Sequence, residues 1–170
     1  EVRFRYANLD GTNEKLITVA LSPNTYYTYY SFADDAIKDI EPVGKTTWDF
    51  EVTRYTTFVY DFDDPQMYEV GGFINNPGKG IQVAKLEGLN LEDISSSSLA
   101  SQIYSTRLTA IGHDWKKFNS ASQDGFYTIF GRSYIVRVDG KSYGIQFKSY
   151  SKIVESKQVN GYPTFHYREF

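Results

Sequence analysis

An Asp-Gly dipeptide between two alternating segments is the sequence feature that most constrains the fold of this chain. Residues Tyr134–Val138 and Lys141–Phe147 flank Asp139-Gly140. This pair of residues favours a type I′ turn, because both central positions of that turn need a positive φ. The resulting register sets Tyr134 opposite Ile145 and gives the two strands an apolar face of cross-strand pairs. The sequence therefore predicts an antiparallel hairpin near its C-terminal end.

Further segments of the chain are predicted as strands. They are Lys15–Leu21, Tyr26–Phe32, Trp48–Tyr55, Tyr68–Ile74, Ile81–Leu86 and Thr164–Phe170. Lys15–Leu21 and Trp48–Tyr55 alternate apolar and polar residues with a period of two, whereas Tyr26–Phe32 is aromatic on both faces, as in a strand that is covered on two sides or faces a ligand. In the third segment, Trp48, Phe50 and Val52 share one face. The alternation then slips after Arg54, which predicts a β-bulge at that point.

One segment, Asn90–Ile103, has a helical pattern, with Asn90 as its N-cap and Asp93 three residues on. Four consecutive serines inside it disfavour a long helix. Aromatic residues make up 17% of the 170 residues, and they suit the pleated, half-buried surface of a sheet. We expect an all-β fold of antiparallel strands and hairpins, with at most one or two short helices. The length and the lack of internal repeats or linkers predict one domain over residues 1–170.

Charge and cysteine content exclude several classes of protein. The net charge of −3 gives no basic surface, so no nucleic-acid partner is expected. No apolar run reaches the roughly 18 residues that a membrane span needs. The chain has no cysteine, which excludes disulfides, thiolate metal sites and cysteine nucleophiles.

The two histidines are the first candidates for catalysis. His113 precedes Asp114 and could act as a general base beside a carboxylate. His166 falls in a predicted strand. No G-x-S-x-G nucleophile motif accompanies either of them. We therefore predict that the protein is not an enzyme.

Carboxylates in one loop raise the question of a calcium site. Asp61, Asp63 and Asp64 precede Glu69, and calcium prefers such oxygen ligands. The segment lacks the glycine and the distal glutamate spacing of an EF-hand loop. Solvated loop carboxylates are the favoured interpretation.

The surplus of aromatic residues has two interpretations that the sequence leaves open. Most of these rings suit a sheet core with tyrosine hydroxyls at its edge. Tyr27, Tyr29, Tyr55 and Tyr60 lie opposite to or beyond the clean core faces. They are candidates for a platform that binds a flat ligand, such as a porphyrin or a sugar ring.

Five segments, taken in order, resemble the HmuY-like family of Bacteroidetes haem-binding lipoproteins. They are ITVALSPNTYYTYYSF (17–32), WDFEVTRYTTFVY (48–60), IGHDWKKF (111–118), YTIFGRSYIVRVDGKSYGIQFKSY (127–150) and GYPTFHYREF (161–170). The resemblance implies an antiparallel β fold with loops that hold a ligand. It also implies export as a surface-exposed lipoprotein of the outer membrane, or secretion, with any lipid anchor upstream of Glu1 as the only link to the membrane.

The resemblance further implies haem held by two axial side chains and passed to an outer-membrane receptor. One axial position follows the W-x-x-F segment formed by Trp115 and Phe118, and it corresponds to Ser120. The other falls within Lys85–Ser98, which contains neither histidine nor methionine. A serine hydroxyl is a poor iron ligand compared with imidazole or thioether.

Replacement ligands for haem iron are therefore His113, Met67, His166 or an exposed tyrosine, since tyrosinate also ligates haem iron. Tyr55 is a candidate for contact with the ligand, together with His113 and Ser120. Two functions remain open. The leading one is capture of haem or a related tetrapyrrole for nutrient uptake. The alternative is an HmuY-like protein that has lost haem ligation and binds another small ligand or an outer-membrane partner.

Overall fold

A computed structural model describes residues 1–25, 27–40, 45–60, 64–119 and 127–170. The fold is all-β with antiparallel pairing, as the sequence predicted. The chain divides into two compact units, Glu1–Trp48 and Asp49–Phe170, and each is described by itself. The single domain predicted from the sequence remains a prediction.

The first unit contains two small antiparallel hairpins. Strand β1 (Val2–Tyr6) pairs with β2 (Lys15–Val19), and β3 (Tyr29–Ser31) pairs with β4 (Ala36–Lys38). Of the segment predicted as the strand Tyr26–Phe32, only Tyr29–Ser31 is strand, and Tyr26 lies outside the described residues.

Four aromatic rings from the two hairpins form a cluster. They are Phe4, Tyr6, Tyr30 and Phe32, with ring centroids 5.0–6.4 Å apart. The Asp35 carboxylate accepts hydrogen bonds from Lys15, Tyr30 and Tyr6. These bonds, with that of Lys15 the largest cause, lower the pKa of Asp35 to about 2. The carboxylate therefore stays charged and connects the two hairpins.

The second unit is built on a four-stranded sheet in the order β12-β11-β10-β7. Its strands are β7 (Gln82–Glu87), β10 (Arg132–Val138), β11 (Lys141–Val154) and β12 (Lys157–Glu169). The predicted hairpin is confirmed, with Tyr134 opposite Ile145. Asp139 and Gly140 have φ values of 52° and 78°, as a type I′ turn requires.

Both faces of this sheet are covered, because apolar residues lie on each side of β10. Tyr134 and Val136 lie on one face and Ile135 on the other. The first face packs in a cluster with Phe73, Ile81, Val83, Ile111, Trp115, Val138, Ile145 and Phe147. The second packs in a cluster with Ala84, Leu86, Leu91 and Ile94.

The predicted helix over Asn90–Ile103 is wrong in its length. A 3-10 turn, Leu91–Asp93, is followed by the five-residue helix α1, Ser96–Ala100. The Asn90 side chain makes no capping bond and instead accepts one from Gln146 Nε2 at 3.2 Å. Ser95 begins α1 with a capping box, so the serines restart the helix rather than continue it.

Strands β5 (Phe50–Val59) and β6 (Gln66–Asn75) form a separate two-stranded hairpin, and β8 (Lys116–Phe118) pairs with β9 (Tyr127–Ile129). The predicted bulge after Arg54 is wrong, because the β5–β6 register is continuous. Val52 is 54% exposed, so the predicted apolar face does not continue past Phe50. The side chains of Phe50 and Tyr55 lie on opposite faces of β5 and are both half-buried, whereas Val52 is exposed. The apolar positions therefore change from one face of β5 to the other along the strand.

Candidate functional site

A cleft of about 590 Å³ lies against the β5–β6 hairpin and the outer part of β11 and β12. The rings of Trp115 and Tyr127 also line this cleft. The lining residues are Val52, Thr53, Arg54, Glu69, Gly71, Gly72, Phe73, Trp115, Tyr127, Tyr150, Asn160, Gly161, Tyr162 and Pro163. This volume is within the usual range of small-molecule sites, which are concave and rich in aromatic residues.

The two strands of the β5–β6 hairpin present different faces. Residues alternate along a strand, and opposed residues share a face. Arg54 lies opposite Gly71, and Thr56 lies opposite Glu69. We call this side the cleft face. Tyr55 and Val70, which oppose each other, lie on the reverse face.

Two adjacent glycines in β6 allow close packing on both faces of the hairpin, Gly71 on the cleft face and Gly72 on the reverse face. A Cβ at Gly71 would collide with the Tyr150 hydroxyl and approach its Cζ to 3.3 Å. A Cβ at Gly72 would approach the Gly112 carbonyl carbon to 2.8 Å. Glycine inside a strand often marks such a close approach of another group. Both positions therefore need glycine for steric reasons.

The side chain of Lys116 is enclosed beneath the cleft. It is only 7% exposed, and its Nζ donates a hydrogen bond to the Gly71 carbonyl at 2.6 Å. The Nζ lies 4.3 Å from the ring centroid of Tyr150, 4.9 Å from that of Trp115 and 5.4 Å from that of Tyr127. Each of these four neighbours also lines the cleft. Burial lowers the pKa of Lys116 to about 8, because a desolvated ammonium is disfavoured.

The exposed rim of the cleft carries one ion pair. Arg54 Nη1 lies 3.1 Å from Glu69 Oε1, and both side chains are largely exposed. An exposed pair of this kind contributes little to stability, so both charges remain available to a ligand. Tyr162 lies on the β12 side of the cleft, with the Lys152 Nζ 3.6 Å from its ring centroid.

His113 and Tyr55, both predicted as site residues, lie in contact. The Tyr55 hydroxyl is 3.1 Å from His113 Nδ1, and the ring centroids are 6.0 Å apart. Burial, followed by the charge of Asp114, raises the pKa of Tyr55 to about 12. Gly112, with φ of 67°, lies beside this hydroxyl. The pair lies on the reverse face of the hairpin and does not line the cleft.

The other predicted iron ligands are not brought to His113. Met67, which is 55% exposed, opposes Phe58 and lies on the cleft face, two residues along β6 from Glu69. Met67 is three residues from Val70, and side chains an odd number of residues apart point to opposite faces of a strand. Because Val70 shares its face with Tyr55, the Met67 side chain lies on the other face. His166, in β12, is exposed and lies opposite Gln146 of β11. His113 and Met67 therefore do not form an axial pair.

Several predicted positions cannot be placed in the cleft. Ser120, Asp61 and Asp63 lie outside the described residues. Tyr60 is 76% exposed and does not line the cleft. Tyr27 and Tyr29 belong to the first unit and are exposed. In the part of the chain that the structure describes, no group of three or more His, Asp or Glu residues is arranged to hold a metal ion.

The site residues predicted from the sequence did not include Lys116, Tyr127, Tyr150 or Tyr162. The signal that points to them is the Gly71-Gly72 pair inside a predicted strand, because glycine there indicates a close neighbour. The identity of that neighbour depends on long-range contacts, which period-two alternation does not report.

Comparison with protein-family models, with curated proteins and with solved structures gave no match. The resemblance to the HmuY-like family therefore remains a prediction from the quoted segments. Across the described ranges, no helix is both long and apolar enough to cross a membrane.

Proposed function

We propose that this chain is a non-catalytic binding module and that its cleft holds a flat ring compound. The observation that carries the proposal is the cleft of about 590 Å³ with Tyr127, Tyr150 and Tyr162 in its walls. Trp115 lies behind them, buried and stacked on Phe147. Aromatic rings bind flat ligands by stacking and by edge contacts. Haem or a related tetrapyrrole is the leading candidate, because the quoted segments resemble a family of haem-binding lipoproteins.

Ring contacts, rather than iron ligation, provide the binding energy in this proposal. His113 and Met67 lie on different faces of the hairpin. Burial raises the pKa of the Tyr150 hydroxyl, so Tyr150 remains a neutral phenol near pH 7 and a poor source of tyrosinate. These observations also favour the alternative that the protein has lost haem ligation and takes another flat ligand.

The proposed module is non-catalytic because the hydroxyl beside His113 is a poor nucleophile. The hydroxyl in contact with His113 is that of Tyr55, whose pKa is raised to about 12. A phenol that ionises so weakly is a poor nucleophile at neutral pH. Export to the cell surface and transfer to an outer-membrane receptor are the parts of the proposal that depend on the family resemblance alone.

The decisive experiment titrates the purified protein with haemin and, separately, with iron-free protoporphyrin IX, following the Soret band. If ring contacts dominate, both should bind saturably with affinities within about 3-fold of each other. Tyr162→Ala should weaken both by roughly 3–10-fold, the value of one aromatic contact. Tyr60→Ala, an exposed tyrosine outside the cleft, is the matched control and should leave both unchanged.

Two results would contradict this mode of binding. Haemin that binds far more tightly than protoporphyrin IX, and loses that advantage in His113→Ala or Met67→Ala, would indicate iron ligation. The absence of saturable binding for both compounds would exclude a tetrapyrrole and leave a different flat ligand or an outer-membrane partner.

A further inference from the structure

The cleft has one cation beneath its floor and one at its rim. Lys116 Nζ is covered by Trp115, Tyr127 and Tyr150, and within the described ranges it donates a hydrogen bond to the neutral Gly71 carbonyl. Among the described residues, no carboxylate forms an ion pair with Lys116. The Asp114 carboxylate offsets only part of the desolvation of this ammonium. A buried ammonium is energetically costly, and an anion placed over the floor would reduce the remaining cost.

The rim carries charges of both signs. Arg54 and Glu69 line the cleft and pair with each other at 3.1 Å. Because both side chains are largely exposed, a ligand anion can compete with Glu69 for the Arg54 guanidinium. Guanidinium groups bind carboxylates with two parallel hydrogen bonds. Lys152, whose Nζ lies 3.6 Å from the ring centroid of Tyr162, adds another positive charge beside the cleft. Among the described residues, these cations outnumber the Glu69 carboxylate at the rim, so this set of charges favours a negative group.

We propose that the cleft recognises a carboxylate or a similar anionic group on its ring ligand, favoured by Arg54 and Lys116 and opposed by Glu69. This inference rests on the proposed function, because it concerns the ligand of the same cleft. Lys116 acts through its charge beneath the aromatic floor, whereas Arg54 contacts the anion directly.

A consequence of this arrangement is proton uptake when the anion binds. In the part of the chain that the structure describes, the titratable or charged groups around Lys116 are Arg54 and Glu69 on the β5–β6 hairpin, Asp114 beside Trp115, Tyr127 on β9 and Tyr150 on β11. Asp114 is already paired with Lys85 and Arg132. A ligand anion stabilises the ammonium form and raises the pKa of Lys116 above its value of about 8. Binding between pH 8 and 9 therefore takes up a fraction of a proton.

The test uses a matched pair of flat probes, 2-naphthoate and 2-naphthamide, which differ in charge and hardly in shape. Amide resonances of Gly71, Gly72 and Gly161, observed at pH 7, locate the binding site. Calorimetric titration gives the affinities. The wild-type protein should bind naphthoate about 5-fold or more tightly than naphthamide.

Charge variants separate the contributions. Arg54→Gln should weaken naphthoate binding by about 3–5-fold, and Glu69→Gln should strengthen it by about the same factor. Neither should change naphthamide binding, and both residues are exposed, so folding is unaffected. From pH 7 to 9.5 the wild-type affinity for naphthoate should fall, and proton uptake should appear in buffers of different ionisation enthalpy. Lys116→Arg, which cannot lose its charge in this range, should abolish both effects.

The outcomes distinguish the two proposals. If both probes bind at the cleft with equal affinity and the Arg54 and Glu69 variants change nothing, the anion preference is wrong and the ring-binding function stands. If neither probe shifts the cleft resonances, the anion preference is also wrong, and the haemin and protoporphyrin IX titrations decide separately whether the ring-binding function stands. A Lys116→Arg variant that does not fold leaves the two rim variants and the wild-type pH profile as the deciding measurements.

Discussion

At the scale of single residues, the burial of Lys116 makes stability depend on pH in an unusual direction. An unfolded lysine has a pKa near 10.4, and burial lowers that of Lys116 to about 8. Between these values the unfolded state binds more protons than the folded state, so stability rises with pH. Below pH 8 both states are protonated and the full cost of the buried charge is present.

We predict that Lys116→Met removes this dependence. The difference in unfolding free energy between the variant and the wild-type protein should shift by about 3 kcal/mol in favour of the wild type from pH 7.5 to 10.5. Urea denaturation at a series of pH values measures it. Lys117→Met, at the exposed neighbouring position of β8, is the control. Parallel curves for wild type and Lys116→Met would show that Lys116 is not desolvated.

A second prediction concerns the glycine beneath Tyr150. Gly71→Ala should lower the unfolding free energy by about 1–3 kcal/mol, because its methyl group collides with the Tyr150 hydroxyl in a packed site. Tyr150→Phe removes that oxygen and leaves the ring carbon 3.3 Å away, so the loss should shrink in the double variant. Gly131→Ala, where a Cβ meets nothing within 4 Å, should be neutral. Equal losses in both backgrounds would contradict the contact.

At the residue scale, the sequence named His113 for its position beside Asp114 and Tyr55 as an aromatic residue outside the clean core faces. The structure places their side chains in contact, and their role in binding stays a prediction. Lys116 was not selected, because a lysine beside a tryptophan looks like a surface residue in the sequence. Its burial arises from Gly71 and Tyr150, which lie 45 and 34 positions away in the chain. The position of Met67 relative to His113 was equally inaccessible, since it depends on strand register.

At the scale of elements, turn chemistry explains both the success and the failure of hairpin prediction. Asp139-Gly140 was recognised and its register is correct. The β11–β12 hairpin was not, although Glu155 and Ser156 also take positive φ, 48° and 63°. Neither residue type favours the left-handed region, so the dipeptide carries no turn signal. The helix was predicted too long because the pattern did not show the break at Ile94 and Ser95, which separates the 3-10 turn from α1.

This difference between the turns leads to a prediction. Replacing Glu155-Ser156 by Asn-Gly should stabilise the β11–β12 hairpin by about 1–2 kcal/mol, because it removes two unfavourable left-handed residues. Hydrogen exchange of Lys152 and Val159, which oppose each other near this turn, measures the change locally. Asp139-Gly140→Glu-Ser should have the opposite effect on the β10–β11 hairpin. Faster exchange of Lys152 and Val159 in the Asn-Gly variant would contradict a type I′ conformation for the turn at Glu155-Ser156.

At the scale of the whole molecule, the alternating pattern predicted the all-β class and left the distribution of the core undetermined. Both large clusters of buried apolar residues belong to Asp49–Phe170. Among the described residues of Glu1–Trp48, Val19 is the one fully buried apolar side chain. The alternating pattern could not predict the cleft either. It identifies each strand separately, whereas the walls of the cleft come from β5, β6, β9, β11 and β12 together.

The unequal cores predict unequal folding of the two units. A fragment of residues 49–170 should give a β-sheet circular dichroism spectrum and one cooperative unfolding transition, because it retains both clusters. A fragment of residues 1–48 should remain unfolded, since chains of that size rarely bury enough surface to fold without disulfides or metals. A control fragment of residues 1–122 has the same length as the larger fragment but lacks β9, β10, β11 and β12. This control should not fold cooperatively. Failure of the 49–170 fragment to fold would instead support the single domain that the sequence predicted, with Glu1–Trp48 as an essential part of it.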